Sequence, residues 1–110
     1  MVSTDRDALA ALYNATDGAN WTTSKNWKTE APLSQWHGVN VDYQGRVTKL
    51  QLNSNNLKGP IPRELGNLVA LQYLSLGNNE LSGNIPPELG DLRQLQELRL
   101  SDNYLTGTLF

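Results

Sequence analysis

Leucines recur through the second half of this chain at a fixed interval: Leu50, Leu74 and Leu98 stand 24 residues apart, and Leu52, Leu76 and Leu100 keep the same step. The interval also holds for Asn55, Asn79 and Asn103, for Leu57, Leu81 and Leu105, for Gly59, Gly83 and Gly107, and for Ile61, Ile85 and Leu109. A period of this length marks a chain that stacks one supersecondary unit on the next, because a unit so short cannot bury its own leucines. About three units are the minimum for a continuous core. The sequence holds three, the last of them incomplete.

Each unit reads L-x-L-x-x-N-x-L-x-G-x-I-P, and the first two continue with E-L-G, over Pro62 to Gly66 and Pro86 to Gly90. The alternation Leu50, Gln51, Leu52 and Leu74, Ser75, Leu76 predicts a short half-buried strand at the start of each unit, with leucines on one face and polar groups on the other. Stacking sets these strands parallel. The repeats therefore occupy 47–110, and 1–46, which lack the period and hold all three tryptophans, form an N-terminal capping region. There Thr4 with Asp7 reads as a helix start, and the run Ala8 to Tyr13 carries a helix over about 4–16, ending near Asp17-Gly18. One face of that helix is expected to cover the leucines of the first repeat.

The unit pattern from Val47 to Phe110 resembles the plant-specific class of leucine-rich repeats, common in extracellular receptors and polygalacturonase inhibitors. The resemblance implies an α/β solenoid with a short parallel β-sheet on its concave face and a helical N-terminal cap. It also implies that the ladder Asn55, Asn79 and Asn103 turns inward to hydrogen-bond the backbone of adjacent coils, and that the G-x-I-P segment forms a second extended stretch. Ser34-Gln35-Trp36-His37-Gly38-Val39-Asn40-Val41 and Gly45-Arg46-Val47 are similar to the C-x-W-x-G-V-x-C and G-R-V elements of that family's cap, with Ser34 and Val41 in the two cysteine positions. With D-x-x-A-L-x-A-L-Y-x-A-T-D-G-x-x-W over Asp5 to Trp21, the cap looks like the cysteine-free versions found in algal and microbial proteins.

Several chemistries find no footing. Nine basic and eleven acidic residues are scattered to a net charge of −2, which gives no electrostatic footprint for nucleic acid or an acidic membrane. No apolar stretch is long enough to insert in a bilayer. Without cysteine there is no disulfide, thiolate metal site or cysteine nucleophile, and His37, the single histidine, can build neither a triad nor a zinc site. No carboxylate pair stands out for sugar hydrolysis, since Glu64 and Glu88 occupy repeat-equivalent turn positions. No P-loop or kinase motif is present. The chain is expected to be non-catalytic and to need no cofactor or metal. The lack of cysteine and of a signal peptide favours a cytoplasmic location, whereas the family resemblance implies an extracellular one. The triplets Asn14-Ala15-Thr16 and Asn20-Trp21-Thr22 fit the N-glycosylation pattern, which matters only in a secretory setting.

Function is expected on the outward strand positions, concave by family analogy, because the leucines between them are committed to the core. These positions form the columns Lys49, Tyr73, Glu97; Gln51, Ser75, Arg99; and Asn53, Gly77, Ser101. One aromatic, both charge signs and small polar groups suit a protein or peptide ligand, with Tyr73 and Arg99 the expected hot spots. Leu105, Leu109 and Phe110 would expose apolar surface on the last coil, where soluble solenoids need a polar cover, so a second reading is either self-association into a homodimer there or a fragment of a larger leucine-rich-repeat receptor or signalling protein. The three tryptophans could stack on a sugar, but closing the end of a leucine core is the stronger expectation.

Overall fold

The computed structural model describes residues 4–107. The cap helix α1 spans Asp5–Ala15. Its start is a reciprocal cap, in which the Asp7 N–H donates to Thr4 Oγ1 at 3.0 Å and the Thr4 N–H donates to Asp7 Oδ2 at 3.3 Å. Ala8, Leu9 and Leu12 fall on one face and are fully buried against the first coil.

Each coil carries a strand of a main sheet, a turn, a strand of a second sheet and a short 3₁₀ turn. Strands β2 (Val47–Gln51), β4 (Tyr73–Ser75) and β6 (Glu97–Arg99) pair in parallel with Leu50, Leu74 and Leu98 in register. Strands β3 (Lys58–Pro60), β5 (Glu80–Asn84) and β7 (Tyr104–Thr106) form the second parallel sheet. The E-L-G segments close the coils as 3₁₀ turns at Arg63–Asn67 and Pro87–Asp91, which bury Leu65 and Leu89.

The main sheet is not wholly parallel. Strand β1 (Val39–Val41) pairs antiparallel with β2 and forms the edge of the sheet on the cap side. The intervening turn is built by Asp42, whose Oδ1 accepts the N–H groups of Gln44 at 2.8 Å and Arg46 at 3.0 Å. Gly38 lets the chain enter β1: its φ is +79°, and a Cβ there would collide with the Gln51 carbonyl. A parallel edge would have left the polar groups of β2 open; the hairpin closes them locally.

Trp21, Trp27 and Trp36 sit beneath the cap, at 6%, 5% and 2% exposure. Trp27 contacts Trp21, Trp36 and Tyr13, and Trp21 also contacts Tyr13, at centroid distances of 4.8 to 6.4 Å. Each indole N–H donates to a backbone carbonyl, of Thr16, His37 and Ala31 respectively. No tryptophan offers a face to a sugar, and each contributes several kcal/mol of burial at about 25 cal/mol per Å². His37 is exposed, and its carbonyl serves Trp27. A second clasp joins the cap to the solenoid: buried Asp5 accepts from Arg46 Nε and Nη2, both at 3.0 Å, and from the Val47 N–H at 2.8 Å.

The asparagines bind coil to coil. Asn79 Oδ1 accepts the N–H groups of Asn55 at 2.9 Å and Leu57 at 3.0 Å, and its Nδ2 donates to the carbonyls of Leu52, Leu76 and Gly77. Asn103 Oδ1 accepts the Leu81 N–H, while Asn55 reaches the cap at Thr23. Among the described residues no buried side-chain nitrogen or oxygen lacks a partner. Asn79→Ala strands two buried N–H groups, so it is expected to destabilise the chain by about 3 kcal/mol or more in urea unfolding, and Asn103→Ala by clearly less. Equal effects would show that the ladder is not a chain of hydrogen-bond donors and acceptors.

Candidate functional site

Alternation along β2, β4 and β6 sends Leu50, Leu74 and Leu98 into the core, so that Lys49, Tyr73 and Glu97 line up outward on adjacent strands. They are joined. Lys49 Nζ lies 5.3 Å from the centroid of the Tyr73 ring. Arg99 Nε donates to Glu97 Oε2 at 2.8 Å. The row thus runs cation, ring, carboxylate, guanidinium across the sheet.

Tyr73 and then Arg99 hold the Glu97 carboxyl below the usual carboxylate range, and Glu97 in turn raises the Arg99 guanidinium above its ordinary value. Both side chains are well exposed, 40% for Glu97 and 62% for Arg99, so solvent screens the pair and it adds little to stability. Its effect is on charge state and direction. A depressed carboxyl stays ionised above its own lowered pKa and loses charge only as pH falls through that value. Glu97 is therefore an anion throughout the neutral range.

Beside this row lies a cleft of about 390 Å³ lined by Thr48, Lys49, Gln72, Tyr73, Gln96 and Glu97. Thr48, Gln72 and Gln96 form one more 24-residue column, inside β2 and just before β4 and β6, which reasoning from leucine alternation alone passes over. Its signal was present as a polar repeat column. Gln72 and Gln96 are exposed, and their backbone N–H groups extend the ladder to Thr48 O and Gln72 O at 2.8 Å each.

The remaining outward positions divide. Gln51, Asn53, Arg99 and Ser101 are exposed, but Ser75, expected on the binding surface, is only 6% exposed, and Gly77 is also buried. These small residues of the middle coil lie below the larger side chains of the coils on either side; a Cβ on Gly77 would stand 3.3 Å from Ser101 O. The middle strand therefore offers Tyr73 rather than a continuous row of contacts. Of the residues expected for self-association, Leu105 is partly buried, and Leu109 and Phe110 lie outside the described residues. Among the described residues no cluster of three or more His, Cys, Asp or Glu could hold a metal, and no helix is long and apolar enough to cross a membrane.

A family model described as "Leucine rich repeat" matches residues 45–105. A probable leucine-rich repeat receptor-like protein kinase of Arabidopsis thaliana is 42% identical over 71 residues, which are 64% of this chain and 7% of that protein. The BIR2 ectodomain from Arabidopsis thaliana superposes with a TM-score of 0.81 at 36% identity, over 96% of this chain and 58% of that one. The Arabidopsis receptor kinase HAESA, solved in complex with the peptide hormone IDA and the co-receptor SERK1, gives 0.81 at 30% identity, over 96% of this chain and 18% of that one. The chain thus spans only a small part of the curated relative.

Following the Glu97 carboxyl carbon by NMR through acid pH is expected to give a midpoint below the ordinary range in the wild type. Tyr73→Phe should raise that midpoint more than Arg99→Ala does. An unmoved midpoint in Tyr73→Phe would remove the hydroxyl from the row.

Proposed function

The chain belongs to the leucine-rich-repeat family, and from that premise we propose that it is a non-catalytic recognition module binding a protein or peptide ligand through the outward, concave face of its main sheet. The observation that carries this reading is the linked row Lys49, Tyr73, Glu97, Arg99 beside a polar cleft. Outward strand positions are free of the core, yet here they meet in pairs, Lys49 over the Tyr73 ring and Arg99 on Glu97, rather than standing as independent solvated side chains. A preset row loses less side-chain freedom when a ligand arrives. Tyr73 supplies a rigid aromatic anchor, Glu97 and Lys49 supply opposite charges at the cleft, and Gln72 and Gln96 supply amide donors and acceptors for a peptide backbone.

The mixed charge argues for a polypeptide over a polyanion, and the complex of HAESA with a peptide hormone and a co-receptor supports the same kind of partner. Three short parallel strands make a small face, so a tight complex would draw on surface beyond the columns.

The test is selection from a phage-displayed library of linear peptides, followed by titration of enriched peptides against variants. Tyr73→Ala and Glu97→Ala are each expected to weaken binding about tenfold or more, the scale of an interface hot spot. Glu88→Ala, in a 3₁₀ turn away from the sheet, should leave binding unchanged. No enrichment, or peptides indifferent to Tyr73 and Glu97, would overturn the assignment of this face.

A further inference from the structure

Lys49, Tyr73 and Glu97 stand in register on three neighbouring strands, so the sheet itself sets their spacing. Adjacent strands lie about 4.8 Å apart, which puts the backbone of Lys49 about 9.6 Å from that of Glu97, with Tyr73 midway. Thr48, Gln72 and Gln96 run beside them at the same step, and the two columns wall one cleft of about 390 Å³. Across the strands the cleft therefore presents a cation, an aromatic ring and an anion along one line, with a hydroxyl and two amides along the next. Lys49 is exposed and 40% of the Glu97 side chain is accessible, so both charges can be reached by a ligand.

We propose that the ligand of this cleft is a peptide segment in the polyproline II conformation, lying across the strands and carrying side chains of opposite charge three residues apart. The inference rests on the reading of this face as a peptide-binding surface. Polyproline II rises about 3.1 Å per residue with three residues per turn, so residues i and i+3 lie on one side of it about 9.3 Å apart. That repeat matches the two-strand step from Lys49 to Glu97. An acidic residue then meets Lys49 and a basic one meets Glu97 within a single turn, and the residues between them lie over Tyr73, whose ring suits the apolar face of proline. A β-strand fits the step poorly, because its same-face residues i and i+2 are about 6.7 Å apart. An α-helix gives about 6 Å at i+4 and about 10.5 Å at i+7, and it keeps its backbone groups to itself. Polyproline II has no internal hydrogen bonds, so it offers free backbone carbonyls to the side-chain amides of Gln72 and Gln96 in the second column.

The geometry fixes the spacing of the two charges and leaves the direction of the segment free. A segment running from β2 to β6 meets the cleft with its acid before its base, and one running from β6 to β2 with its base before its acid. Both orders are therefore accepted. Two like charges at this spacing are refused, because one of them must face its own sign.

The test is fluorescence anisotropy of labelled peptides with blocked termini, titrated with the 110-residue chain. Each peptide carries one glutamate and one lysine separated by one, two or three prolines, in both orders; two further peptides carry two lysines or two glutamates around two prolines. The mixed-charge peptides with two prolines are expected to bind about threefold or more tighter than the rest, in either order, with the preference fading at high salt. In Lys49→Glu the two-lysine peptide should overtake both mixed ones, while circular dichroism stays unchanged because Lys49 is exposed. Affinities that ignore the number of prolines overturn the proposal, as does a Lys49→Glu variant that keeps the wild-type ranking. Library peptides that bind through Tyr73 while proline number has no effect would remove this inference and leave the recognition face standing. Peptides from both sources indifferent to Tyr73→Ala would remove both.

Discussion

A coil that leaves one sheet for another turns through the middle of an apolar core, and its backbone N–H groups there have no strand to pair with. The structure depends on how those donors are satisfied. Asn79 does it with one short side chain, accepting two N–H groups from the coil before and donating to carbonyls on both coils. A leucine at that position would leave the donors buried and unpaired, at about 1–3 kcal/mol each. An aspartate would accept but could not donate to the carbonyls. The leucines supply most of the driving force, but the amide decides that coils stack at a 24-residue step rather than merely collapse together.

The cap extends this device beyond the repeat. Asn55 has no preceding repeat above it, and it finds the same kinds of partner in Thr23, whose N–H donates to Oδ1 at 2.8 Å and whose carbonyl accepts from Nδ2 at 2.9 Å. The Lys58 N–H likewise donates to Thr16 O where a later coil would use a coil partner. The cap therefore presents to the first repeat the hydrogen-bonding surface of a repeat, while its outer part follows another plan. Closure of the outer cap rests on the packed aromatic group and on Asp5 holding both Arg46 and the Val47 N–H. Arg6 adds a strap, donating to the carbonyls of Thr29 and Ala31 and lying 5.2 Å from the Trp36 ring.

The repeat half of the fold was legible because its period repeats the same physical demand at each coil. The helix start was legible because Thr4 and Asp7 form a local signal that needs no tertiary partner. Strand β1 escaped notice because it is three residues long and its pairing depends on Asp42 folding the turn behind it. Outward positions were legible as columns, but their exposure was not. Ser75 has the parity of Gln51 and Arg99, and it is buried because its neighbours on adjacent strands are larger. The column Thr48, Gln72, Gln96 carried a repeat signal that attention to leucines obscured, and the link from Tyr73 through Glu97 to Arg99 depends on side-chain direction across strands, which spacing does not encode.

Glu97 is the one carboxylate in the row, and Arg99 Nε already donates to its Oε2 at 2.8 Å. A ligand group that binds Glu97 therefore meets an anion engaged on one side and has to share it with the guanidinium. Lys49 lies two strands away over the Tyr73 ring, so its contact does not depend on that competition. Charge at the two ends of the row thus acts on recognition separately: at Lys49 by the charge alone, at Glu97 by the charge less what Arg99 has taken.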